Sequence, residues 1–152
     1  RATRQLRRRS GPPKVASAPR LTLAGAEALV AAAREKADAL GVAVVIHVAD
    51  HGGHPIALAR MDGSPTFSLV VAAKKAWTAV AAGDDTRGLA GAFIGDDTLL
   101  HGVAGNVDDL IPVGGGVPVL VDGGVAGAIG VSGATEEQDH QIARAAVDAV
   151  FG

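Results

Sequence analysis

Two pairs of short apolar segments, each joined by a tight turn, most restrict the fold of this 152-residue chain. Residues 42–48 and 55–60 flank the turn sequence DHGGH, and residues 117–121 and 125–131 flank DGG. Turns of this length join antiparallel strands, because a parallel pair needs a long crossover. The pattern therefore excludes a Rossmann fold and predicts an antiparallel sheet.

Helical patterns lie before, between and after these hairpins. The first helix is predicted at 22–40, capped by Thr22 and ended by Gly41. A second begins at Ser64-Pro65 and reaches 82, short helices cover 86–93 and 97–103, and a capping box at 135–138 opens a last helix through 150. The order is helix, two strands, helices, two to three strands, helix. This is an α+β class with about five strands flanked by helices, profilin-like or PAS-like.

Charge divides the chain into a tail and a body. Residues 1–20 carry seven Lys and Arg and no acid, whereas residues 21–152 carry all 16 acids. We expect residues 1–20 to be a flexible basic leader or remnant, and residues 21–152 to be one domain. The acidic body argues against nucleic acid as a partner, and its apolar runs are too short to cross a membrane. A cytoplasmic location is favoured, with an exported form left open because the chain starts at Arg1.

Five blocks within residues 21–152 resemble the GlcG/HbpS-like haem-binding family, which also supplies the C-terminal domain of PduO-type proteins. The blocks are VADHGG with ARMDG (residues 48–53 and 59–63), KAWTA (75–79), Thr86, GGGVPV (114–119) and GAIGVSGA (127–134), followed by Gln138-Asp139. The resemblance implies an α+β domain that assembles into dimers up to octamers. It also implies haem or tetrapyrrole binding in haem or iron handling or sensing. PduO-type members use a histidine on the first helix, and residues 22–40 contain none.

Haem ligation is limited by composition, since the chain has no Cys and no Tyr. The five histidines and Met61 remain, together with less usual oxygen ligands. His101, in a glycine-containing stretch, is our first candidate ligand. His47 is expected to be a buried, hydrogen-bonded strand residue, and His140 to be solvated.

His51 and His54 flank the glycines of the first turn and are candidate haem or metal ligands, with Asp50 as a third donor. Alternatively, both are exposed turn residues without a ligand. Two imidazoles alone make a weak site, since a closed metal site needs three or four protein ligands.

Arg60, Lys75 and Thr78 are the polar candidates for a binding or catalytic site. Arg60 can clamp a propionate or a small carboxylate, and Lys75 can offer a point charge to the same anion. Alternatively Arg60 pairs with Asp50 or Asp62, and Lys75 pairs with a buried carboxylate.

Residues Gly114, Gly115 and Gly116 lack the Gly-Lys-Ser/Thr of a phosphate loop. They can form a pocket rim whose N–H groups bind an anion, or a structural bulge.

Three functions are compatible with these residues. The first is an oligomeric haem-binding protein. The second is a cofactor-independent enzyme that binds a small carboxylate through Arg60 and Lys75, with a histidine such as His101 as acid/base. The third is a structural or accessory oligomer. Whether the protein is an enzyme is undecided by the sequence.

Overall fold

A computed structural model describes residues 11–152. Its helices are α1 (Leu23–Leu40), α2 (Ser68–Ala82), α3 (Thr86–Phe93), the short α4 (Asp97–Leu99) and α5 (Glu136–Phe151). A π-helical turn, Leu100–Ala104, follows α4 directly. The strands are β1 (Val45–Asp50), β2 (Pro55–Arg60), β3 (Gly116–Val121) and β4 (Gly124–Ser132).

The strands form one antiparallel sheet in the order β2-β1-β4-β3. Both predicted hairpins are present, and the central ladder joins β1 to β4. The α+β class is confirmed, but the expectation of about five strands is wrong, since the sheet has four. Between the π-helical turn and β3 the described residues form no further strand. Side chains of α2 and α3 bind backbone groups of residues 108–113 there.

The helices cover the sheet on both faces. α1 and α5 pack against each other and on one face, while α2 packs across β1, β3 and β4 on the other. The core between the sheet and the α1/α5 layer is aliphatic, with Leu29, Ile46, Ile129 and Ile142 fully buried. Branched strand residues against alanine-rich helices supply this core with few aromatic side chains.

α2 lies close to the sheet because the strands beneath it carry glycine at the points of contact. A Cβ at Gly130 would collide with the Ala72 carbonyl oxygen, and one at Gly116 would collide with the Lys75 carbonyl oxygen. The facing helix residues Ala72 and Ala76 are fully buried. Close contact between helix and sheet therefore depends on the absence of side chains at these two positions.

Several boundaries differ from the sequence prediction. β1 begins at Val45 instead of residue 42, because the Val42 amide still closes the end of α1 on the Ala37 carbonyl. α2 begins at Ser68, because the Ser64 hydroxyl donates to the Met61 carbonyl at 2.7 Å and caps no helix. The helix predicted at 97–103 is α4 running into the π-helical turn.

Residues 1–10 of the predicted basic tail lie outside the described residues. Residues 11–20 contain no helix or strand, and the chain joins the fold where the Leu21 amide donates to the Ala126 carbonyl at 3.0 Å. Among residues 11–152, no helix combines the length and the apolar character needed to cross a membrane.

Candidate functional site

An apolar cleft lies between the end of α3, the π-helical turn and the start of α5. We call it the α3 cleft. Its volume is about 280 Å³, and its uncharged lining residues are Ala90, Phe93, Ile94, Gly95, Leu100 and Pro112. The acidic residues Asp97 and Glu136 complete the lining. Ile94 is 81% exposed, so the cleft presents apolar surface to solvent.

His101 stands beside this cleft. It follows the lining residue Leu100 in the π-helical turn and is exposed to solvent. A π-helical turn widens the helix and changes the direction of successive side chains. His101 itself does not line the cleft, but it is exposed and directly follows a residue that does.

Hydrogen bonds from α2 hold the segment that forms one wall of the cleft. The Lys74 Nζ donates to the Asp108 carbonyl at 2.9 Å. The Thr78 hydroxyl accepts from the Ile111 amide at 2.9 Å and donates to the Asp109 carbonyl at 3.2 Å. Thr78, predicted as a ligand-binding residue, is fully buried and fixes the backbone next to Pro112.

Thr86 extends this framework to the glycine segment. Its hydroxyl donates to the Val113 carbonyl at 2.6 Å and accepts from the Gly116 amide at 2.9 Å. The Gly114 amide donates to Glu136 Oε1 at 3.0 Å. Two of the three amides predicted to bind an anion are therefore already engaged within the protein.

Lys75 is buried and paired. Its Nζ lies 2.9 Å from Asp139 Oδ2 and donates to the Val131 carbonyl at 3.0 Å. A Cβ at Gly115 would lie 2.9 Å from this Nζ, so the glycine makes room for the ammonium. Of the two interpretations of Lys75, the structure shows the pairing with a buried carboxylate.

Burial raises the pKa of Asp139 above its ordinary value. The Lys75 ammonium and the amides of Ala134 and Gly133 act in the opposite direction. The carboxylate is thus held by specific donors inside the protein and is only 3% exposed.

Arg60 lies on the edge strand β2, away from the α3 cleft. It pairs with Val45 in the sheet and lines a separate cleft of about 500 Å³ together with Arg34, Asp38 and Asp62. Lys75 does not line that cleft. Within residues 11–152 no ion pair joins Arg60 to Asp50 or Asp62. The structure therefore does not bring Arg60, Lys75 and His101 together.

The first turn is organised by Asp50. Its Oδ1 accepts from the amides of Gly52 at 2.8 Å and His54 at 3.0 Å, and the His54 Nδ1 lies 3.1 Å away. Burial alone would raise the pKa of Asp50. The hydrogen bonds have the larger combined effect, and they hold the pKa of Asp50 below its ordinary value. His51 and His54 are exposed, and the described part of the chain holds no group of three potential ligands for a metal ion.

The sheet register separates this turn from the α3 cleft. Asp50 pairs with Gly127, whereas Gly116, the last residue of the glycine segment, pairs with Gly130, three residues further along β4. None of the turn residues 50–54 lines the α3 cleft, so the candidate ligands His51 and His54 lie outside it.

The burial and hydrogen bonding of His47 and His140 agree only in part with the sequence prediction. His47 is buried as predicted, 6% exposed, but its Nδ1 has no hydrogen-bond partner in residues 11–152. Burial lowers its pKa. His140, expected to be solvated, is half-buried, and its Nδ1 is also buried without a partner among the described residues. It lies one helical turn beyond Glu136, a relation that the i,i+4 spacing alone could have indicated.

The residues in and beside the α3 cleft meet some of the requirements for binding a flat, apolar cofactor. The α3 cleft supplies apolar contacts, and His101 and His140 are the histidines closest in sequence to its lining residues Leu100 and Glu136. A chain without Cys or Tyr has few other candidates for an axial ligand.

Comparisons with known proteins place the chain among relatives of one family. Residues 21–148 match the family model "Haem degrading protein HbpS-like". A 15.0 kDa protein from the dhaT–dhaS intergenic region of Citrobacter freundii is 37% identical over 128 residues, covering 84% of this chain and 90% of that protein. Protein GlcG of Escherichia coli K12 is 40% identical over 109 residues, covering 70% and 77%. The crystal structure of a PduOC–haem complex superposes with a TM-score of 0.80 at 32% identity, covering 87% of this chain and 96% of that one.

Proposed function

Since the chain belongs to the HbpS-like family of haem-degrading proteins, we propose that it binds haem or a related tetrapyrrole. The protein acts in haem or iron handling or sensing. Support comes from the family match and from the similarity to a PduOC domain solved as a haem complex. Bound haem supplies a redox-active iron, and the residues of this chain provide the surface and the ligand that hold it.

The observation that carries the proposal is an exposed histidine beside an exposed apolar cleft. His101 follows Leu100, and Phe93 and Ile94 form the adjoining wall. Ile94, which is 81% exposed, would be removed from water by an apolar ligand held there, and apolar burial contributes about 25 cal/mol per Å². His101 would supply the imidazole that holds the haem iron.

The test is an absorbance titration of the full chain with ferric haem. We expect a Soret shift at stoichiometric haem, and the variant His101→Ala should bind at least about tenfold more weakly, which corresponds to about 1.4 kcal/mol. Ile94→Asp should weaken binding as well, because it places a charge on the apolar wall. Both residues are exposed, so the fold should persist, which circular dichroism checks.

The double variant His51→Ala/His54→Ala is the matched control. It removes two exposed imidazoles of the first turn, which does not line the α3 cleft, and should leave haem affinity unchanged. A loss of binding in this variant but not in His101→Ala would move the site to the first turn. No spectral change in the wild type would refute haem binding altogether.

Self-association is the second part of the proposal. Large apolar side chains are exposed on β2 and at the start of α2, at Leu58 (49%), Phe67 (69%) and Val70 (58%). Exposed apolar surface of this kind favours contact with a second copy. Light scattering should give a mass above one chain, and Phe67→Ser/Val70→Ser should lower it. A monomer in the wild type would contradict this part.

A further inference from the structure

We infer that the α3 cleft discriminates between tetrapyrroles by charge, with Glu136 as a specificity-determining residue. The cleft accepts an apolar edge of the macrocycle and disfavours rings that carry carboxylates at the same edge. This inference rests on the proposed function and names the class of ligand that the site prefers.

The charges that line the cleft have one sign. Asp97 and Glu136 are its charged lining residues, and neither Lys nor Arg is among them. Arg87, one turn before the cleft residue Ala90 on α3, does not line the cleft, and its charge is balanced by Glu137, whose Oε2 lies 2.7 Å from its Nη2. A ligand carboxylate that enters the cleft therefore meets like charge without a compensating cation from its lining.

Glu136 is held at this rim. Its Oε1 accepts a hydrogen bond from the Gly114 amide at 3.0 Å, and its Cγ packs against Gly114, where a Cβ would come within 2.9 Å. The hydrogen bond to a backbone amide fixes the carboxylate in place, whereas a free surface glutamate turns away from an approaching anion.

The size of the effect follows from Coulomb's law. For two unit charges about 6 Å apart at an exposed site, where the effective dielectric constant is about 40–80, one repulsion lowers the affinity about three- to tenfold. The effect is screened by salt, because the Debye length falls to about 3 Å at 1 M.

The experiment compares three ferric porphyrins on the full chain: protoporphyrin, its dimethyl ester and coproporphyrin. Their side chains carry two, no and four carboxylates. The wild type should prefer the dimethyl ester, and Glu136→Gln should raise coproporphyrin affinity about three- to tenfold relative to the ester. The amide oxygen of Gln still accepts from Gly114, so the geometry of the rim is kept. High salt should remove most of the difference between the two proteins.

Glu35→Gln is the control, because it makes the same charge change at an exposed position on α1. It should leave the affinity ratio at the wild-type value. An unchanged ratio in Glu136→Gln, with all three porphyrins still bound, would overturn the charge selection and leave haem binding intact. Failure of the wild type to bind any of the three would instead refute the proposed function.

Discussion

Lys75 on α2 and Asp139 on α5 meet inside the protein, with 2.9 Å between Nζ and Oδ2, although their helices cover opposite faces of the sheet. Both side chains are almost fully buried. Removing one charge leaves the other without a counter-charge in the interior, so Asp139→Asn should lower the free energy of unfolding by about 3–5 kcal/mol. Urea unfolding followed by circular dichroism measures this change.

The double variant Lys75→Met/Asp139→Asn is the matched comparison. It removes both charges, and its loss should be smaller than the sum of the two single losses, because no charge remains buried alone. Additive losses would show that the two groups are not coupled.

Because His47 is buried, we expect the folded protein to lose stability in mild acid. Burial lowers its pKa in the folded state, so the unfolded chain binds the proton first as the pH falls below about 6.5. Stability should be independent of His47 above that pH, and below it should fall by up to about 1.4 kcal/mol per pH unit until the lowered pKa is reached.

His47→Leu should abolish that dependence between pH 6.5 and 5, and His51→Ala, in an exposed position, should keep it. Thermal or urea unfolding across this range measures the slope. Equal slopes in the wild type and His47→Leu would assign the acid sensitivity to other groups.

Gly130 should tolerate no side chain. The Cβ of Gly130→Ala would strike the Ala72 carbonyl oxygen, so α2 must shift from the sheet, at about 1–3 kcal/mol. Gly91→Ala is the control, because its Cβ meets open space on α3 and the substitution should stabilise the helix by about 0.5–1 kcal/mol. Similar effects of the two variants on the melting temperature would contradict the close packing of α2.

Thr78 should control the order of the segment beside the α3 cleft. Thr78→Val leaves the Ile111 amide without its acceptor, which costs about 1–3 kcal/mol and should speed hydrogen exchange at that amide. Thr78→Ser keeps the hydroxyl and should restore slow exchange. Fast exchange in the serine variant as well would show that the methyl group, not the hydrogen bond, holds the segment.

Features governed by neighbouring residues could be predicted from the sequence. Thr22 accepts from the Gly25 amide at 3.1 Å, Gly41 ends α1 in the left-handed region, and Thr135 and Gln138 form the capping box. The family resemblance is confirmed for the same reason, since its motifs are local patterns.

Features that depend on distant residues could not be predicted. The partner of Lys75 is 64 residues away, and nothing in the KAWTA motif identifies Asp139. The α3 cleft is likewise built from three separate stretches of chain. The number of strands could not be predicted either. Lys74, Thr78 and Thr86 bind backbone carbonyls of residues 108–113, and these contacts become visible only once α2 and α3 are placed.

The strand order also determines how the chain must reach this fold. β1–β2 and β3–β4 close through tight turns, and hairpins of this kind form in about 1–10 μs. The β1–β4 ladder instead joins the two hairpins across the whole α2–α4 region, so a large loop must close before its contacts form. We expect this docking step to limit the refolding rate. Until it occurs, the inner edges of both hairpins are open to pairing between molecules, so refolding yield should fall as protein concentration rises.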